Sequence, residues 1–400
     1  MTANTTDIAI VGGGVVGGLA ALMLAKARPD IAITLLDGSA PGQQDPRTLA
    51  LAHTTLLSLQ SVGIATDKLA TAQAKIEHIH VSERRGAGSA TLHAKRYQID
   101  ALGQVVSAHT LQQAIEQAAA GCSNLSWQMQ TRLEQLTQQP AGVDLTLHTG
   151  DDTTTQLSAK FVIGADGGRS VVREQLKIAR QQYDYQQTAL IANVQLDREH
   201  QGWAYERFTE HGPIALLPIQ AQQMALVWCV PSSDAASIQS LSDNDFLAQL
   251  QQAFGFRAGR FIGVEKRASY PLYLLLAERA IHHCCALIGN ACHTLHPIAG
   301  QGYNLGVRDV VDLVAMVTSA WHSDQGGLQH RDLLAYEAQR QQDYQRIAGL
   351  TDSLVRIFSN QHFPLVAGRN LGLLALRKQP ALGYPLARSA MGFRNLFGAA

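Results

Sequence analysis

An α/β fold carrying an inserted α+β unit and C-terminal helices is predicted by three observations. The N-terminus reads strand, G-x-G-x-x-G, helix, strand, acid, all within about 30 residues. A later apolar strand stops in Gly164-Ala-Asp166-Gly167-Gly168-Arg169-Ser170. Between Tyr183 and about Pro271 strand-like alternation dominates, after which the chain returns to an apolar strand and a glycine-punctuated loop.

Asp7–Val11 (DIAIV) is a short β-rich run. Gly12-Gly-Gly14-Val-Val-Gly17 follows, then a helix over Leu19–Ala27 and a strand over Ile31–Leu36 ending in Asp37. Each part has a task in a Rossmann-like unit. Gly12 permits the tight turn, Gly14 lets the backbone reach a pyrophosphate, and Gly17 lets helix and strand pack closely. Asp37, twenty residues after Gly17, accepts hydrogen bonds from an adenosine ribose. An acid there suits the free diol of FAD or NAD and disfavours a 2′-phosphate.

Asp45-Pro-Arg47-Thr48-Leu-Ala50-Leu is expected to open a helix running to about Gln60. Arg47 beside a phosphate site is read as a cofactor contact, with a plain surface arginine as the alternative. Lys75–Ser82 and Ala90–His93 look like strands. Helical spacing runs over Val105–Ala119, with Gln104 and His109 at its start. Gln104 is counted among the cofactor contacts, beside the simpler reading of both as capping or surface residues. Alternating runs between Trp127 and Ile163 form a β-meander that ends at the 164–170 motif. A tight turn with a capped helix would explain that motif locally. Two glycine-rich stops at strand ends instead suggest that they face one ligand across a switch point, which makes Asp166 and Gly167 ligand contacts.

In the inserted unit strands are expected over Thr188–Leu196, Ala204–Phe208, Ile214–Pro218, Met224–Val230 and Val264–Pro271, with one helix at Asp243–Phe254. Arg207-Phe208 and Pro213 to Pro218 are candidates for its floor. The apolar run from Cys284 to Ile288 then breaks at Gly289-Asn290, and the loop Pro297-Ile-Ala-Gly300-Gln301-Gly302 leads into a helix from about Tyr303 to Trp321. An ordinary strand–turn–helix would account for it. The alternative is a wall for a flat ligand: Gly300 and Gly302 lack a Cβ, and the helix start at Tyr303–Asn304 offers unpaired N–H groups and a positive dipole end. A reduced flavin is a ring that becomes negative. A helix from His330 to about Phe358 and short amphipathic helices from Pro364 complete the chain.

The expected division is a ligand-binding domain over 1–75, 100–178 and 278–330, a substrate domain over 76–99 and 179–277, and a helical region over 331–400. The composition, 46% apolar and 16% charged with zero formal net charge, implies no nucleic-acid partner. Five cysteines lack metal-ligand spacing, so no metal is expected; the odd count and an N-terminus that runs straight into a strand suit the cytoplasm. No apolar run reaches the roughly 18 residues of a membrane span. From Tyr344 onward, however, seven basic residues (Arg346, Arg356, Arg369, Arg377, Lys378, Arg388, Arg394) stand against one acid, Asp352. A solvated helix face and a surface meeting anionic lipid or an acidic partner are the two readings.

The three motifs, in this order, resemble the class A FAD-dependent aromatic hydroxylases of the para-hydroxybenzoate hydroxylase type, over essentially the full length. Asp45-Pro-Arg47-Thr-Leu-Ala-Leu, Tyr205-Glu-Arg207-Phe, Gly289-Asn-Ala, Thr294-Leu-His296-Pro-Ile-Ala-Gly-Gln-Gly and Asn304-Leu-Gly-Val-Arg-Asp309 resemble the ubiquinone-biosynthesis hydroxylases, nearest the 2-polyprenyl-6-methoxyphenol hydroxylase subgroup. The resemblance implies FAD held by Gly12, Gly14, Gly17, Asp37 and Arg47, with 164–170 near the pyrophosphate and NAD(P)H as a transient co-substrate. It places 289–302, with Asn290 where the broad family has Asp, along the ribitol and isoalloxazine. It also implies a polyprenylated phenol and O2 as substrates, with the oxygen atom delivered from a C4a-hydroperoxyflavin. Expected partners are a quinone-biosynthesis complex and, through the C-terminal region, the inner membrane. No phenol-deprotonating base is visible. His296, Gly300, Gln301 and Gly302 are the candidates nearest the chemistry, with His293 and His296 otherwise read as shaping the loop. Hydroxylation of a soluble phenol, or a non-catalytic flavoprotein subunit, are the alternatives.

Overall fold

The structure is a computed structural model that describes residues 4–40, 42–43, 45–84, 86, 88–322, 327–358 and 384–393. Its first sheet is built on five parallel strands in the order Cys285–Leu287, Thr154–Gly164, β1 (Asn4–Val11), β2 (Ile33–Leu36) and Leu125–Gln128. Ile8, Ala9 and Ile10 are fully buried. β1 is covered on both faces, which is why it reads as a continuous apolar run and not as alternation. Helix α1 (Val15–Ala27) packs between the Ala108–Ala119 and Gln301–Ala320 helices. It is apolar nearly all round because it is enclosed. The meander Thr131–Gln139, Gly142–Thr149 and Thr154–Gly164 returns the chain antiparallel into this sheet.

The second sheet runs in the order Ser89–His93, His78–Glu83, Trp203–Thr209, Gly212–Gln220, Gln223–Pro231, Arg180–Leu196, Ala268–Ala277 and His293–Thr294, with Phe261–Val264 also on Arg180–Leu196. The Asp243–Phe254 helix covers its outer face, burying Phe246, Leu250 and Phe254 against Leu190, Tyr205, Ile214 and Trp228. A further helix, Ser232–Gln239, has no strong periodic signal in the sequence. The sheet's last strand, His293–Thr294, belongs to the glycine loop and pairs with Leu275 and Leu276.

Two elements differ from expectation. Thr48–Ala52 is a strand (β3), paired antiparallel with Gly103–Ser107; the helix begins only at His53, and its partner helix only at Ala108. Local helical spacing at Thr48 and Val105 gives way to the backbone hydrogen bonds each segment gains from the other. The Gln301–Ala320 helix starts two residues before the sequence suggests, from Gly300 in the left-handed conformation at φ 61°. No described helix is long and apolar enough to cross a membrane. Of the basic C-terminal residues, Arg388 is buried, its guanidinium 4.5 Å over the Phe393 ring. The segment 359–383 lies outside the described residues.

The candidate active cleft

One cleft of about 1760 Å³ joins the two sheets. Its lining runs from Gly12–Val16, Asp37, Arg132 and Ala165–Gly167 to the inner face of the second sheet, and passes Asn290 and Gly300–Asn304 on the way.

At the dinucleotide end, β1 and Thr154–Gly164 lie side by side and stop together, Val11 opposite Gly164. Gly12 has φ 106°, and a Cβ there would meet the Ala165 carbonyl oxygen at 2.6 Å. The two glycine stops are therefore in contact, and glycine is what lets them be. Asp37 is buried at the end of β2, where one carboxylate oxygen accepts from the Ser39 N–H at 2.9 Å. Thr131 N–H donates to the Asp37 carbonyl at 2.8 Å and draws the meander across, so that Arg132 lies over Gly38. Arg132 carried no sequence signal, because only this cross-connection brings it to the cleft. Gly17 stands behind the lining, where it lets α1 press on the turn.

Asp166 Oδ2 caps the short Val171–Gln175 helix, accepting from Val171 N at 2.7 Å and Val172 N at 3.1 Å. Its Oδ1 is buried without a partner, and burial raises the affinity of the carboxyl for a proton. That oxygen is suited to a ligand hydroxyl. A Cβ on Gly14 or on Gly302 would meet nothing within 4 Å. The backbone is thus bare where it faces the cleft. An orphaned acceptor and two bare stretches of backbone, disposed along one cleft, fit a dinucleotide bearing a flat ring.

Arg47 lines the cleft and is held by Asp45, with Nε 2.9 Å from Oδ1. Asn290 is exposed into the cleft. Asn304 is a strut: its Oδ1 accepts from Ala52 N (2.9 Å) and Thr55 Oγ1 (2.7 Å), and its Nδ2 donates to the Ala50 (2.9 Å) and Gly300 (2.8 Å) carbonyls. All four positions of the amide are used in locking β3 to the glycine loop, so the side chain acts on a ligand by holding Gly300 in place. Gln301 is buried in the same loop and lines the cleft. Gln104 is buried in the strand beside Leu51, off the lining.

His296 also stands behind the wall. Its Nε2 lies 3.1 Å from Gln187 Oε1, and its ring meets Tyr185 edge-on at 5.1 Å. Burial holds its pKa down to about 4, so it is neutral at pH 7. His80, under the outer face of the second sheet, is likewise pushed down to about 4, by burial and then by Arg257 and Arg207. Folded, both bind protons less readily than in the unfolded chain, where histidine titrates near 6.5. Their stabilising contribution is therefore complete above about pH 6.5 and is lost as pH falls toward 4, by up to about 3 kcal/mol for each. Melting temperatures taken from pH 7 to 4.5 should fall steeply, and less steeply in a His296→Gln protein. Equal slopes would contradict this.

Behind the Gly289 turn lies a buried ionic network that the sequence did not announce. Asp309 Oδ2 accepts from Gly289 N (2.8 Å) and pairs with His293 Nε2 (2.7 Å); its Oδ1 accepts from Arg340 Nε and Tyr344 OH, both at 2.9 Å. Arg340 Nη1 also reaches Asp312 (2.9 Å) and Asp343 (2.8 Å). His293, Asp309 and Arg340 are all fully buried. Burial opposes charge on Asp309, yet His293 and Arg340 prevail and hold its carboxyl below the usual range. The His330–Phe358 helix is thereby bolted to the back of the cleft wall.

On the second sheet alternation decides the lining. Glu206 and Phe208 face the cleft; Arg207 faces away, with Nη1 3.2 Å from Ser82 Oγ. The expectation that Arg207 lies on the floor with Phe208 is thus corrected, since neighbours on a strand point to opposite faces. Of the 213–218 segment, Ala215 and Leu217 line the cleft, while Ile214 and Leu216 pack under the outer helix.

Comparison with known proteins agrees with this geometry. A family model described as an FAD binding domain matches residues 5–350. The ubiquinone hydroxylase UbiL of Rhodospirillum rubrum is 34% identical, the alignment covering 98% of this chain and 91% of the relative. The 3-demethoxyubiquinol 3-hydroxylase of Escherichia coli is 29% identical over 98% of this chain and 100% of its own. Among solved structures, p-nitrophenol 4-monooxygenase PnpA from Pseudomonas putida superposes with a TM-score of 0.78 at 17% identity, covering 98% of this chain and 100% of that one. PqsL from Pseudomonas aeruginosa gives 0.75 at 19%, covering 93% and 100%.

Proposed function

This chain belongs to the FAD binding domain family, and from that premise we propose that it hydroxylates the ring of a polyprenylated phenol in ubiquinone biosynthesis. The observation that carries the substrate class is the cleft's second half. Leu92, Ile79, Ala204, Leu217 and Ala225 form an apolar row across the sheet on its cleft side, longer than a small soluble phenol needs.

Bound FAD supplies the activation of O2 and the transfer of one oxygen atom, with NAD(P)H as the reductant typical of such enzymes. The protein's part is positional and electrostatic. Gly12, Gly14 and Asp37 hold the adenosine and pyrophosphate end, with Arg47 and Arg132 supplying positive charge; Asp166 Oδ1 and Asn290 take hydroxyls of the linker. The N–H groups at Gln301–Gly302 and the helix start behind them stabilise negative charge on the ring. The apolar sheet face excludes water from the reacting atoms. His296, neutral and fixed by Gln187, keeps the Pro297–Gly302 loop in register with the sheet. Gly167 and Arg169 at the cleft mouth are where the nicotinamide cofactor would dock.

Purified protein should carry visible FAD absorbance and convert a short-chain prenylated phenol to a product one oxygen heavier by mass spectrometry, consuming NAD(P)H in step. A flavin-free preparation, or NAD(P)H oxidation that prenylphenol does not stimulate, would refute the reading and leave a non-catalytic subunit. We extend the proposal to peripheral membrane contact through the basic C-terminal region, supported by its charge. Flotation of the same preparation with anionic vesicles is the expected result, and absence of flotation would remove that extension.

A further inference from the structure

The second sheet meets the cleft in rows of side chains set across the strands. One row is Ala90, Val81, Glu206, Ala215, Val227 and Ile191, each paired to the next, and every member lines the cleft. Glu206 is the one polar residue in it. Among the described residues three carboxylates line the cleft; Asp37 and Asp166 belong to the glycine motifs, and Glu206 alone stands on the sheet.

Its position along the strand matters as much as its charge. Phe208, next on the same face, packs against Ile298 of the glycine loop. Ala204, next in the other direction, belongs to an apolar patch with Ile79, Leu92 and Leu217, closed off by Ala387 and Met391 at the Tyr384–Ala390 helix. Glu206 therefore marks the border between the loop that faces the cofactor ring and the surface suited to an apolar chain. A phenol with a long apolar substituent fits one way round: ring and hydroxyl at Glu206, tail over the Ile79–Leu217 patch.

We propose that Glu206 is a catalytic residue that binds the substrate's phenolic hydroxyl and takes its proton, an assignment that rests on the phenol-hydroxylase reading above. The proton passes from the phenolic oxygen to a Glu206 carboxylate oxygen. The O–H electron pair stays on the ring oxygen and enriches the ring for electrophilic attack. Glu206 returns the proton to that oxygen once the product ring is formed, so the carboxylate ends as it began. Other titratable groups stand near it among the described residues. Cys229 on the Gln223–Pro231 strand is a buried thiol whose ionisation burial and the Glu206 charge both oppose. Tyr185 and His296 pack on each other behind the loop, Tyr270 lines the same cleft from the Ala268–Ala277 strand, and Arg84 pairs with Glu210 at the strand's end.

The test uses the FAD-loaded full chain and a short-chain prenylated phenol. Glu206→Gln should keep its flavin, read from the absorbance of the purified protein, while hydroxylation falls about 100-fold, the scale of a lost general base. The parent's hydroxylation rate should decline on the acid side of its profile, as the carboxylate takes up a proton. The Glu206→Gln rate should lack that limb and climb toward the phenol's own pKa near 10. Ring-fluorinated prenylphenols, which ionise more readily, should recover much of the Glu206→Gln loss, which a purely structural role would not allow. Glu206→Asp should keep the acid limb and most of the rate. A Glu206→Gln protein with the parent's rate and pH profile overturns the assignment, as does a parent without an acid limb, which needs no variant to fold. Failure of the parent to hydroxylate at all would instead count against the function itself.

Discussion

Gly302→Leu is expected to yield a folded protein that cannot take up flavin. Gly302 sits in the first turn of the Gln301–Ala320 helix with ordinary helical geometry, and a Cβ there meets no protein atom within 4 Å. The helix accepts leucine readily, since leucine has the higher helix propensity. The side chain would instead fill part of the cleft, where we propose that the flavin ring lies. The melting temperature of flavin-free protein should stay within a few degrees of the parent, while FAD binding and turnover fall at least 100-fold. Gly12→Ala makes the contrast. There φ is 106° and the Ala165 carbonyl is in the way, so stability itself should drop. If Gly302→Leu binds FAD normally, the ring does not lie along this loop. Flavin absorbance after gel filtration and a thermal melt decide the matter.

Arg340→Met should cost about 3–5 kcal/mol of stability, the range seen when one partner is removed from a buried ion pair. Arg340 is fully buried and is shared by Asp309, Asp312 and Asp343. Removing it leaves buried negative charge without its main cation. For a chain this size the loss should lower the melting temperature by roughly 4–6 °C. Flavin retention should fall as well, because Asp309 also accepts the Gly289 N–H and so fixes the turn that presents Asn290. Arg340→Lys keeps the charge without the planar fork and should lie between the two. A melt within one or two degrees of the parent would show that this network does not hold the turn.

What could be read from the sequence follows from how far each interaction reaches. The N-terminal glycine turn works within its own few residues, so its strand–turn–helix form is legible from spacing alone. The glycine loop at 300–302 was readable for the same reason. The Asp309–Arg340 pair spans 31 residues and two helices, and nothing in either segment names the other. Tyr205-Glu-Arg207-Phe was visible as a motif, but which members face the cleft depends on pairing with His78–Glu83 and Gly212–Gln220. Period-two alternation sets Glu206 and Phe208 on one face of the strand and Arg207 on the other. Thr48–Ala52 differs from expectation because a five-residue strand carries too little pattern to outweigh the helix that follows it.

The edge strand His293–Thr294 carries a consequence for how the chain is made. The second sheet draws on residues 78–93, 180–277 and 293–294, and the first closes with Cys285–Leu287. Neither sheet can be completed until nearly three quarters of the chain has left the ribosome, and the Arg340 bolt arrives later still. For most of synthesis the growing chain presents open strand edges, a state prone to association with other chains. Completion then comes almost at once for both sheets, through a single short segment. Ribosome-bound chains halted before residue 285 should therefore resist proteolysis little better than unfolded ones.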